Sequence, residues 1–354
     1  MRTIIDVSDL TVKELNDLMK VAIDIEKHPK KYRDICKYKK LAALFYEPST
    51  RTRLSFTAAM MELGGNVIGF SGGSASSQAK GESFADTAKV VSNYADIIAV
   101  RSPVEGTALV MARNANIPLI NAGDGAHFHP TQTLADLLTI YKEKKRMDNL
   151  TIGVCGDLKY GRAVNSLISA MCRYKNNKFV LISPKELRLT DEVKKRTNIK
   201  FIETTSLENA LPKLDVLYMT RIQRERFDDM KQYERLKNSY CLDVKKMRLA
   251  KKTMIVLHPL PRVNEISVKV DNDPRACYFK QCLNGKLMRM ALILKLLNEK
   301  TNKQYEIKGK LAYNKYKCNN KKCISQCEQE LDQVHREVKK GVFQCVYCDK
   351  EVKS

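Results

Sequence analysis

The sequence contains no run of about 18 or more apolar residues, so we expect no membrane-spanning helix and no membrane partner. No basic stretch followed by an apolar stretch begins at Met1, so a secretory signal is not expected either. No internal repeat is strong enough to indicate a repeat architecture. A chain of 354 residues with this composition predicts two or three globular domains in the cytoplasm.

Acidic residues are scarce beside basic ones, because 40 Asp and Glu stand against 63 Lys and Arg. The net charge of +23 is compatible with binding to nucleic acid or to an anionic membrane. Lysine supplies most of this charge, however, and it is spread over ordinary helical patterns such as residues 142–146. We interpret it as a solvated surface and expect no nucleic-acid partner. A zinc-containing nucleic-acid-binding protein stays open as an alternative.

Short apolar runs alternate with helical patterns from Lys40 onward. The apolar runs lie at 41–46, 66–70, 96–100, 117–121, 150–155, 178–182, 199–202, 214–219 and 253–257. The helical patterns lie at 52–63, 82–93, 105–114, 131–145, 161–174, 187–196, 206–211 and 285–300. This alternation predicts an α/β protein with two doubly wound parallel sheets, each covered by helices on both faces.

The most informative segment is Ser-Thr-Arg-Thr-Arg at residues 49–53, between the apolar run 41–46 and a helical pattern. A helix N-terminus presents unpaired N–H groups and a partial positive charge, which attract phosphate. The arginines and hydroxyls add further donors at the same point. On these residues alone, an ordinary capped surface helix is an equal alternative.

Several motifs in one order carry a family resemblance. They are Phe-Tyr-Glu-Pro-Ser-Thr-Arg-Thr-Arg at 45–53, Asn-Ala-Gly-Asp-Gly at 121–125, His-Pro-Thr-Gln-Thr at 129–133, Gly-Asp-Leu-Lys-Tyr-Gly-Arg at 156–162 and His-Pro-Leu-Pro at 258–261. Over about residues 1–300 the chain resembles the aspartate and ornithine carbamoyltransferases. The resemblance implies transfer of a carbamoyl group from carbamoyl phosphate to the amine of an amino acid, with no organic cofactor and no nucleophilic Ser or Cys.

The resemblance also implies the residues that hold carbamoyl phosphate. These are Ser49, Thr50, Arg51, Thr52, Ser76, Lys80, Arg101, His129 and Gln132. His129 would donate to the carbonyl oxygen, where one fixed donor lowers the barrier by roughly 3 kcal/mol. Gln132 would bind the carbamoyl nitrogen. The residues expected to act in catalysis itself are Arg51, Thr52, His129 and Lys80.

The glycine-rich loop at residues 71–83 would, by the same resemblance, supply Ser76 and Lys80 to a neighbouring subunit. A homotrimer with shared active sites is then the minimal working unit, and a higher assembly stays open. Without the motifs around it, this loop would be interpreted as an ordinary exposed loop. Each single Arg or His would likewise be interpreted as a surface or structural residue.

The second substrate has its own implied site, formed by Lys80, Arg162, Arg221, Gln223, Leu260 and Pro261. Two bidentate arginines suit a substrate with two carboxylates. The peptide bond between Leu260 and Pro261 is expected to be cis.

The choice of amine depends on residues in the same motifs. The ornithine enzymes carry Cys where this chain has Pro259, so the arginines and His-Pro-Leu-Pro favour aspartate. The expected product is N-carbamoyl-L-aspartate, in pyrimidine biosynthesis. An ornithine or other amino-acid carbamoyltransferase remains the alternative. One departure is Asn264, where we expect Asp, and it predicts a modest change in local electrostatics.

The helices at 131–145 and 285–300 would link the domains in this family. We therefore predict a carbamoyl phosphate-binding domain at 1–130 and 284–300 and an aspartate-binding domain at 131–283. The active site is expected between them. A zinc-binding domain is predicted at 301–354, where a linker and an edge strand come first.

The C-terminal segment is rich in cysteine, since five of the 11 cysteines lie between Cys318 and Cys348. The pairs Cys-x4-Cys and Cys-x2-Cys predict a structural four-thiolate zinc site at Cys318, Cys323, Cys345 and Cys348. Disulfides or free thiols are the other interpretation, and Cys327 and His335 are spare ligand candidates.

The same segment resembles the zinc-binding domain of the regulatory chain that accompanies aspartate carbamoyltransferases. Residues 301–317 are too few to encode that chain's nucleotide-binding domain. We therefore expect no feedback control by CTP or ATP through that route. With so small a core, the module is expected to fold only with its metal.

Overall fold

The computed structural model describes residues 2–73, 76–125, 127–197, 199–222, 224, 227, 229–299, 305–328 and 330–353. The chain divides into two compact units, of which the first comprises Met1–Thr131 and Lys286–Ser354 and the second Gln132–Gly285. Each unit contains a five-stranded sheet, and a four-stranded sheet lies near the C-terminus. Within the described residues, no helix combines the length and apolar character that a membrane span needs.

The sheet of the first unit is entirely parallel. Its strands are β1 (Thr3–Ile4), β2 (Lys40–Phe45), β3 (Asn66–Ser71), β4 (Ile97–Ser102) and β5 (Leu119–Asp124), in the order β1-β5-β4-β2-β3. The accompanying helices are α1 (Val12–Lys27), α2 (Pro29–Tyr32), α3 (Thr50–Glu62), α4 (Phe84–Val91) and α5 (Thr107–Asn114). The apolar runs at β2, β4 and β5 are almost wholly buried, as expected for strands covered on both faces.

The sheet of the second unit repeats this plan. Its strands are β6 (Thr151–Cys155), β7 (Lys178–Ile182), β8 (Phe201–Thr204), β9 (Val216–Met219) and β10 (Ile255–Leu257), in the order β10-β9-β6-β7-β8 and all parallel. Its short helices are α7 (Arg162–Met171), α8 (Asp191–Thr197), α9 (Leu207–Ala210), α10 (Met230–Leu236) and α11 (Val244–Met247). Two longer helices, α6 (Pro130–Lys144) and α12 (Tyr278–Asn298), complete the α/β part. The prediction of two parallel α/β sheets is confirmed.

Several elements differ from the sequence prediction. The N-terminal α1 was not predicted, although Thr11 and Glu14 form a capping box and Leu15, Leu18 and Met19 bury one face. The helix predicted at 187–196 is instead a 3-10 turn at Lys185–Leu187 followed by α8, because the backbone is extended at Arg188 and regains helical form only at Asp191. Helices α10 and α11 were also missed, since each is only one or two turns long.

The cysteine module is a small antiparallel sheet. Its strands β11 (Leu311–Tyr313), β12 (Val334–Lys339), β13 (Val342–Cys345) and β14 (Glu351–Lys353) are hydrogen-bonded in chain order. The edge strand predicted after the linker is therefore β11, whereas residues 301–304 of that linker lie outside the described residues. The three domain boundaries stay a prediction, and the module forms part of the first compact unit.

The module contacts the rest of the first unit just before α5. Glu105 pairs its backbone with the metal-binding segment, since its N–H donates to the Lys322 carbonyl (2.9 Å) and its carbonyl accepts from Ile324 N–H (2.9 Å). The side chain of Asn320 donates to the Glu105 carboxylate at 2.6 Å. Backbone pairing of this kind fixes the position of the segment that carries Cys323.

Candidate active site

The segment that follows β2 is built as the sequence predicts. The strand ends at Phe45 and α3 begins at Thr50, with Ser49 as its N-cap residue. The Ser49 side chain makes no capping hydrogen bond, so the capped-helix interpretation does not account for this hydroxyl. Thr50 and Arg51 are exposed and Thr52 is buried. We call residues 46–52 the phosphate loop, after the ligand that the sequence predicts for it.

Arg101 lies beside the phosphate loop. The strand register pairs it with Phe45, and its carbonyl accepts from Tyr46 N–H at 2.8 Å. Its Nε lies 2.7 Å from Glu47 Oε1. Burial lowers the pKa of the Arg101 guanidinium, Glu47 opposes this shift, and the charge of Arg51 adds to it. The positive charge of Arg51 therefore acts on Arg101, and an anion bound beside both guanidinium groups would be stabilised by both.

The position of these residues in the sheet is that of a ligand site. After β2 the chain turns one way to β3 and then crosses to β4 on the other side, so β2 and β4 flank a topological switch point. The phosphate loop and Arg101 lie at the carboxyl ends of these two strands. In open α/β sheets, ligands bind in the crevice at this place.

His129 follows β5, whose carboxyl end lies next to that of β4. The loop before it is closed by Asp124, whose carboxylate accepts from Phe128 N–H at 3.1 Å. His129 itself is buried, with 7% of its surface exposed. The adjoining Thr131 hydroxyl accepts from Arg289 at 3.1 Å. The histidine is thus held at a short loop directly before α6.

Ser76 and Lys80 lie in the loop before α4. The Ser76 hydroxyl donates to the Gly73 carbonyl at 2.7 Å, and Lys80 is exposed at the end of a 3-10 turn. This bond keeps Ser76 within its own loop, and the loop is joined to the phosphate loop where Gly73 N–H donates to the Tyr46 carbonyl at 3.1 Å. An exposed Lys80 is compatible with a role outside its own subunit.

The second unit places Arg162 and Arg221 at the matching position of its own sheet. The strands β6 and β9 flank the switch point, because β6 leads to β7 on one side and β9 lies on the other. Arg162 begins α7 after β6, and Arg221 comes two residues after β9. The Thr220 hydroxyl accepts from Asp157 N–H at 3.0 Å and so joins the two loops. Gln223 lies outside the described residues.

A cavity of about 320 Å³ opens beside Arg221. Lys237, Asn264 and Glu265 also line it. Asn264 donates its side-chain amide to Asn238 and, at 3.4 Å, to the Lys237 carbonyl. The residue at which the sequence departs from the family pattern therefore lies in the same cavity as a predicted aspartate-binding arginine.

The His-Pro-Leu-Pro loop is fixed by two residues that sequence reasoning left without a role. His258 Nε2 lies 2.7 Å from Glu265 Oε1, and Leu260 N–H donates to His258 Nδ1 at 2.7 Å. Burial lowers the pKa of His258, although Glu265 acts in the opposite direction. The peptide bond between Leu260 and Pro261 is cis, as expected.

Comparisons with known proteins agree with this geometry. The family model described as aspartate/ornithine carbamoyltransferase, carbamoyl-P binding domain, matches residues 2–142. The model described as aspartate/ornithine carbamoyltransferase, Asp/Orn binding domain, matches residues 148–296. The chain belongs to the aspartate/ornithine carbamoyltransferase family.

Named carbamoyltransferases are similar over the same region. The aspartate carbamoyltransferase catalytic subunit of Lachnoclostridium phytofermentans is 60% identical over 302 residues, and that of Clostridium novyi is 57% identical over 299 residues. Both alignments cover 84% of this chain and 98% of the relative. The motifs predict an aspartate carbamoyltransferase, and the similarity to these relatives confirms that prediction.

Solved structures of this family match the fold. The catalytic subunit of M. jannaschii aspartate transcarbamoylase has a TM-score of 0.78 at 46% identity, and the match covers 84% of this chain and 98% of that subunit. The Trypanosoma cruzi enzyme in complex with carbamoyl phosphate has a TM-score of 0.79 at 37% identity, covering 83% of this chain and 95% of its own.

The cysteine module follows the part that the carbamoyltransferase models match. Its four predicted ligands, Cys318, Cys323, Cys345 and Cys348, are all buried, and their sulfur atoms lie within 4.8 Å of one another. The Sγ atoms of Cys318 and Cys348 are 3.6 Å apart, and those of Cys323 and Cys345 are 3.7 Å apart. Sulfurs around a tetrahedral ion with bonds of about 2.3 Å are separated by about 3.8 Å. The cluster therefore fits a metal ion.

The spare ligand candidates do not join this cluster in the described part of the chain. Cys327 is exposed and donates its thiol to the Cys323 carbonyl at 3.6 Å. The His335 ring packs edge-on against Tyr316, with centroids 5.8 Å apart. The four-sulfur set predicted from the spacing is the set that the fold brings together.

Proposed function

We propose that the chain transfers the carbamoyl group of carbamoyl phosphate to the amine of L-aspartate, giving N-carbamoyl-L-aspartate and phosphate for pyrimidine synthesis. The observation that carries this proposal is the placement of a pair of arginines at each switch point. Arg51 and Arg101 lie at the first sheet, and Arg162 and Arg221 at the second. An acyl phosphate and a dicarboxylic amine are substrates whose anionic groups need such pairs.

The reaction is attack of the neutral aspartate amine on the carbamoyl carbon. A C–N bond forms, the C–O bond to phosphate breaks, and the amine gives its proton to the departing phosphate. His129 donates to the carbonyl oxygen as negative charge collects there. The arginines at the phosphate loop, with Ser49, Thr50 and Thr52, hold the departing phosphate, so most of the rate enhancement comes from positioning and charge stabilisation.

The test is a carbamoylaspartate assay on the full chain and two variants. His129→Ala is expected to lower kcat by roughly 100-fold or more, the cost of losing one oxyanion donor. Arg51→Ala is expected to weaken carbamoyl phosphate use to a similar extent. If both variants keep the activity of the unmodified chain, the proposed assignment of these residues is wrong.

The choice of aspartate is tested separately with Arg221. Arg221→Ala is expected to raise the KM for aspartate far more than the KM for carbamoyl phosphate. Arg224→Ala is the matched control, because Arg224 is exposed three residues further along the same segment. A substrate panel that includes ornithine separates the proposal from other carbamoyltransferases. Faster turnover of ornithine than of aspartate would contradict it.

We propose further that the working unit is a homotrimer in which Ser76 and Lys80 act in a neighbouring subunit. The exposure of Lys80 and the small polar residues around it support this role. Mixing Lys80→Ala with His129→Ala subunits tests it, since hybrid trimers would regain sites with both residues. No recovery on mixing, in hybrids shown to form, argues against shared sites. The cytoplasmic location stays a prediction.

We infer that the metal of the cysteine cluster is zinc, and that its role is structural. Four thiolates are a preferred zinc ligand set, and a cluster filled by four sulfurs leaves no position for substrate. The module would then resemble the zinc domain of the regulatory chain, without nucleotide control. Metal analysis of the purified chain should give one zinc per chain. A reproducible shift of activity with CTP or ATP would contradict the proposed absence of nucleotide control.

A further inference from the structure

A chain of hydrogen bonds in the second unit leads to Gln132. The first link is the backbone of His258, whose N–H donates to Gln281 Oε1 at 3.1 Å. A backbone N–H is only a donor, so it fixes which end of the Gln281 amide faces it. The Nε2 group of Gln281 is therefore turned the other way, where it donates to Asp136 Oδ1.

The second link is Asp136, which is completely buried. The same oxygen, Oδ1, also accepts from Gln132 Nε2 at 2.7 Å. An ionised carboxylate has acceptors alone, so it can take both amide donors at once. Two amide donors thus converge on one oxygen of a buried carboxylate.

The third link is the amide oxygen of Gln132. Because Nε2 is directed at Asp136, the amide oxygen points to the opposite side. An oxygen accepts hydrogen bonds and an NH2 group donates them, so this orientation decides which ligand group suits Gln132. Gln132 is only half-buried, in keeping with a side chain that also meets a ligand.

We propose that Asp136, aligned by Gln281, is a positioning residue that holds Gln132 with its amide oxygen toward the substrate, so that the site selects a carbamoyl NH2 over a methyl group. This inference rests on the proposed function. The ligand class it favours is an acyl phosphate whose acyl carbon bears an N–H donor. Acetyl phosphate has the same shape but a methyl group in that place. Its affinity relative to carbamoyl phosphate therefore depends on how the Gln132 amide is oriented.

The experiment measures discrimination on the full chain. Its readout is the inhibition constant of acetyl phosphate divided by the KM for carbamoyl phosphate. Asp136→Ala removes the shared acceptor, and a freely turning Gln132 amide is expected to lower this ratio by about 10-fold, the worth of one hydrogen bond to a neutral group. Asp136→Asn keeps the side-chain shape and serves if Asp136→Ala does not fold. The inhibition constant of inorganic phosphate should stay within twofold, since the phosphate loop is untouched.

A double-mutant cycle separates positioning from general damage. Gln132→Met keeps the length of the side chain and removes both amide atoms, so Asp136 has nothing left to orient. In that background the Asp136 substitution should change the ratio by less than threefold. A folded Asp136 variant that changes the ratio by less than threefold with Gln132 present, or equally in both backgrounds, overturns the inference. Failure of the unmodified chain to form carbamoylaspartate would instead overturn the proposed function.

Discussion

His127 Nε2 lies 3.2 Å from Asp349 Oδ2, which joins the loop before His129 to the residue after Cys348, the last of the four clustered cysteines. The opposite ring nitrogen lies 3.5 Å from Asp124 Oδ2, and the His127 ring packs on Phe128 with centroids 3.7 Å apart. Burial lowers the pKa of His127, but the two carboxylates together raise it well above its ordinary value. The module is therefore connected to a loop of the proposed active site by a charge-assisted bond.

The first prediction is that His127 and Asp349 are energetically coupled. A double-mutant cycle of His127→Gln and Asp349→Asn should give a coupling energy of about 1–3 kcal/mol, the range of a hydrogen bond between charged groups. Hydrogen exchange of the module amides at β13 measures the free energy of opening in each variant. Additivity of the two substitutions within about 0.5 kcal/mol would show that the contact does not stabilise the docked module.

The second prediction uses two glycines with the same backbone conformation. Gly106 has φ +91° and Gly81 has φ +94°. A Cβ atom on Gly106 would lie 2.6 Å from Tyr347 Cβ and 2.9 Å from Ile324 Cγ2, whereas one on Gly81 would meet nothing within 4 Å. Both Ala variants bear the left-handed strain, of about 1–2 kcal/mol.

Gly106→Ala alone should also loosen the module, because both contacting residues belong to it. We expect its thermal midpoint to fall well below that of Gly81→Ala, and the module amides to exchange faster. Equal midpoints for the two variants would indicate that the module does not pack against Gly106. Activity is not the readout, since Gly81 adjoins Lys80.

The third prediction concerns metal removal. The apparent free energy of zinc binding in small four-ligand peptides is about 10–16 kcal/mol, which is larger than the folding energy of most modules this size. A strong chelator, or Cys345→Ser, should therefore release the metal and expose the amides of β12 and β13 to exchange. Cys327→Ser is the matched control, because its thiol is exposed and outside the four-sulfur cluster. Loss of metal from Cys327→Ser would mean that the ligand set is wrong.

The sequence was most informative for features formed by residues that lie close together in the chain. The turn from β2 into α3, the clustering of the four cysteines and the cis bond at Leu260–Pro261 could all be predicted, because each depends on a local sequence pattern. The helix α1 could also have been predicted, since its capping box and apolar face are explicit in residues 11–25.

What could not be predicted are contacts between distant residues. Gln281 and Asp136 are separated by 145 positions, and their bond follows from how α12 and α6 pack in the second unit. The pairing of Glu105 with the cysteine module similarly depends on docking. Nothing in the local sequence distinguishes these side chains from ordinary helix or loop residues.

The fourth prediction compares two arginines of α3. Arg51 interacts with the charge of Arg101, and Arg53 is exposed two residues further along the helix. Arg51→Gln should raise the KM for carbamoyl phosphate by at least about 10-fold, because a charge-assisted hydrogen bond is worth about 1.5–3 kcal/mol. Arg53→Gln should change it by less than about twofold. Steady-state kinetics at saturating aspartate checks both, and a similar rise in the two variants would contradict a specific role for Arg51.

The fifth prediction is a pH dependence of stability that arises at His258. Leu260 N–H donates to His258 Nδ1, so this nitrogen is unprotonated and Nε2–H donates to Glu265. A proton on Nδ1 would break the bond to Leu260. Because burial also disfavours the cation, the pKa of His258 in the folded chain lies below its ordinary value of 6.5.

The sign follows from proton binding. Between the two pKa values the unfolded chain binds a proton that the folded chain does not, so the free energy of unfolding decreases as the pH falls below 6.5. The slope is at most about 1.4 kcal/mol per pH unit, and it ends at the folded pKa. Burial tends to raise the pKa of Glu265, but its hydrogen bonds lower it overall, below the ordinary value of 4.5. The stability that this ionised carboxylate contributes is therefore present above pH 4.5 and is lost only at lower pH.

Urea unfolding of the full chain between about pH 7.5 and pH 5.5 measures this effect against a matched variant. His258→Asn keeps an acceptor for Leu260 N–H but does not titrate, so its stability should change less with pH. We expect the free energy of unfolding to fall by up to about 1 kcal/mol more in the unmodified chain than in the variant over this range, because the difference comes from one buried imidazole. The titrating groups outside the His258–Glu265 pair are shared by the two proteins and cancel in the comparison. Parallel stability curves would show that His258 takes up its proton in the folded chain as readily as in the unfolded one, and the neutral tautomer assigned from Leu260 would then be incorrect.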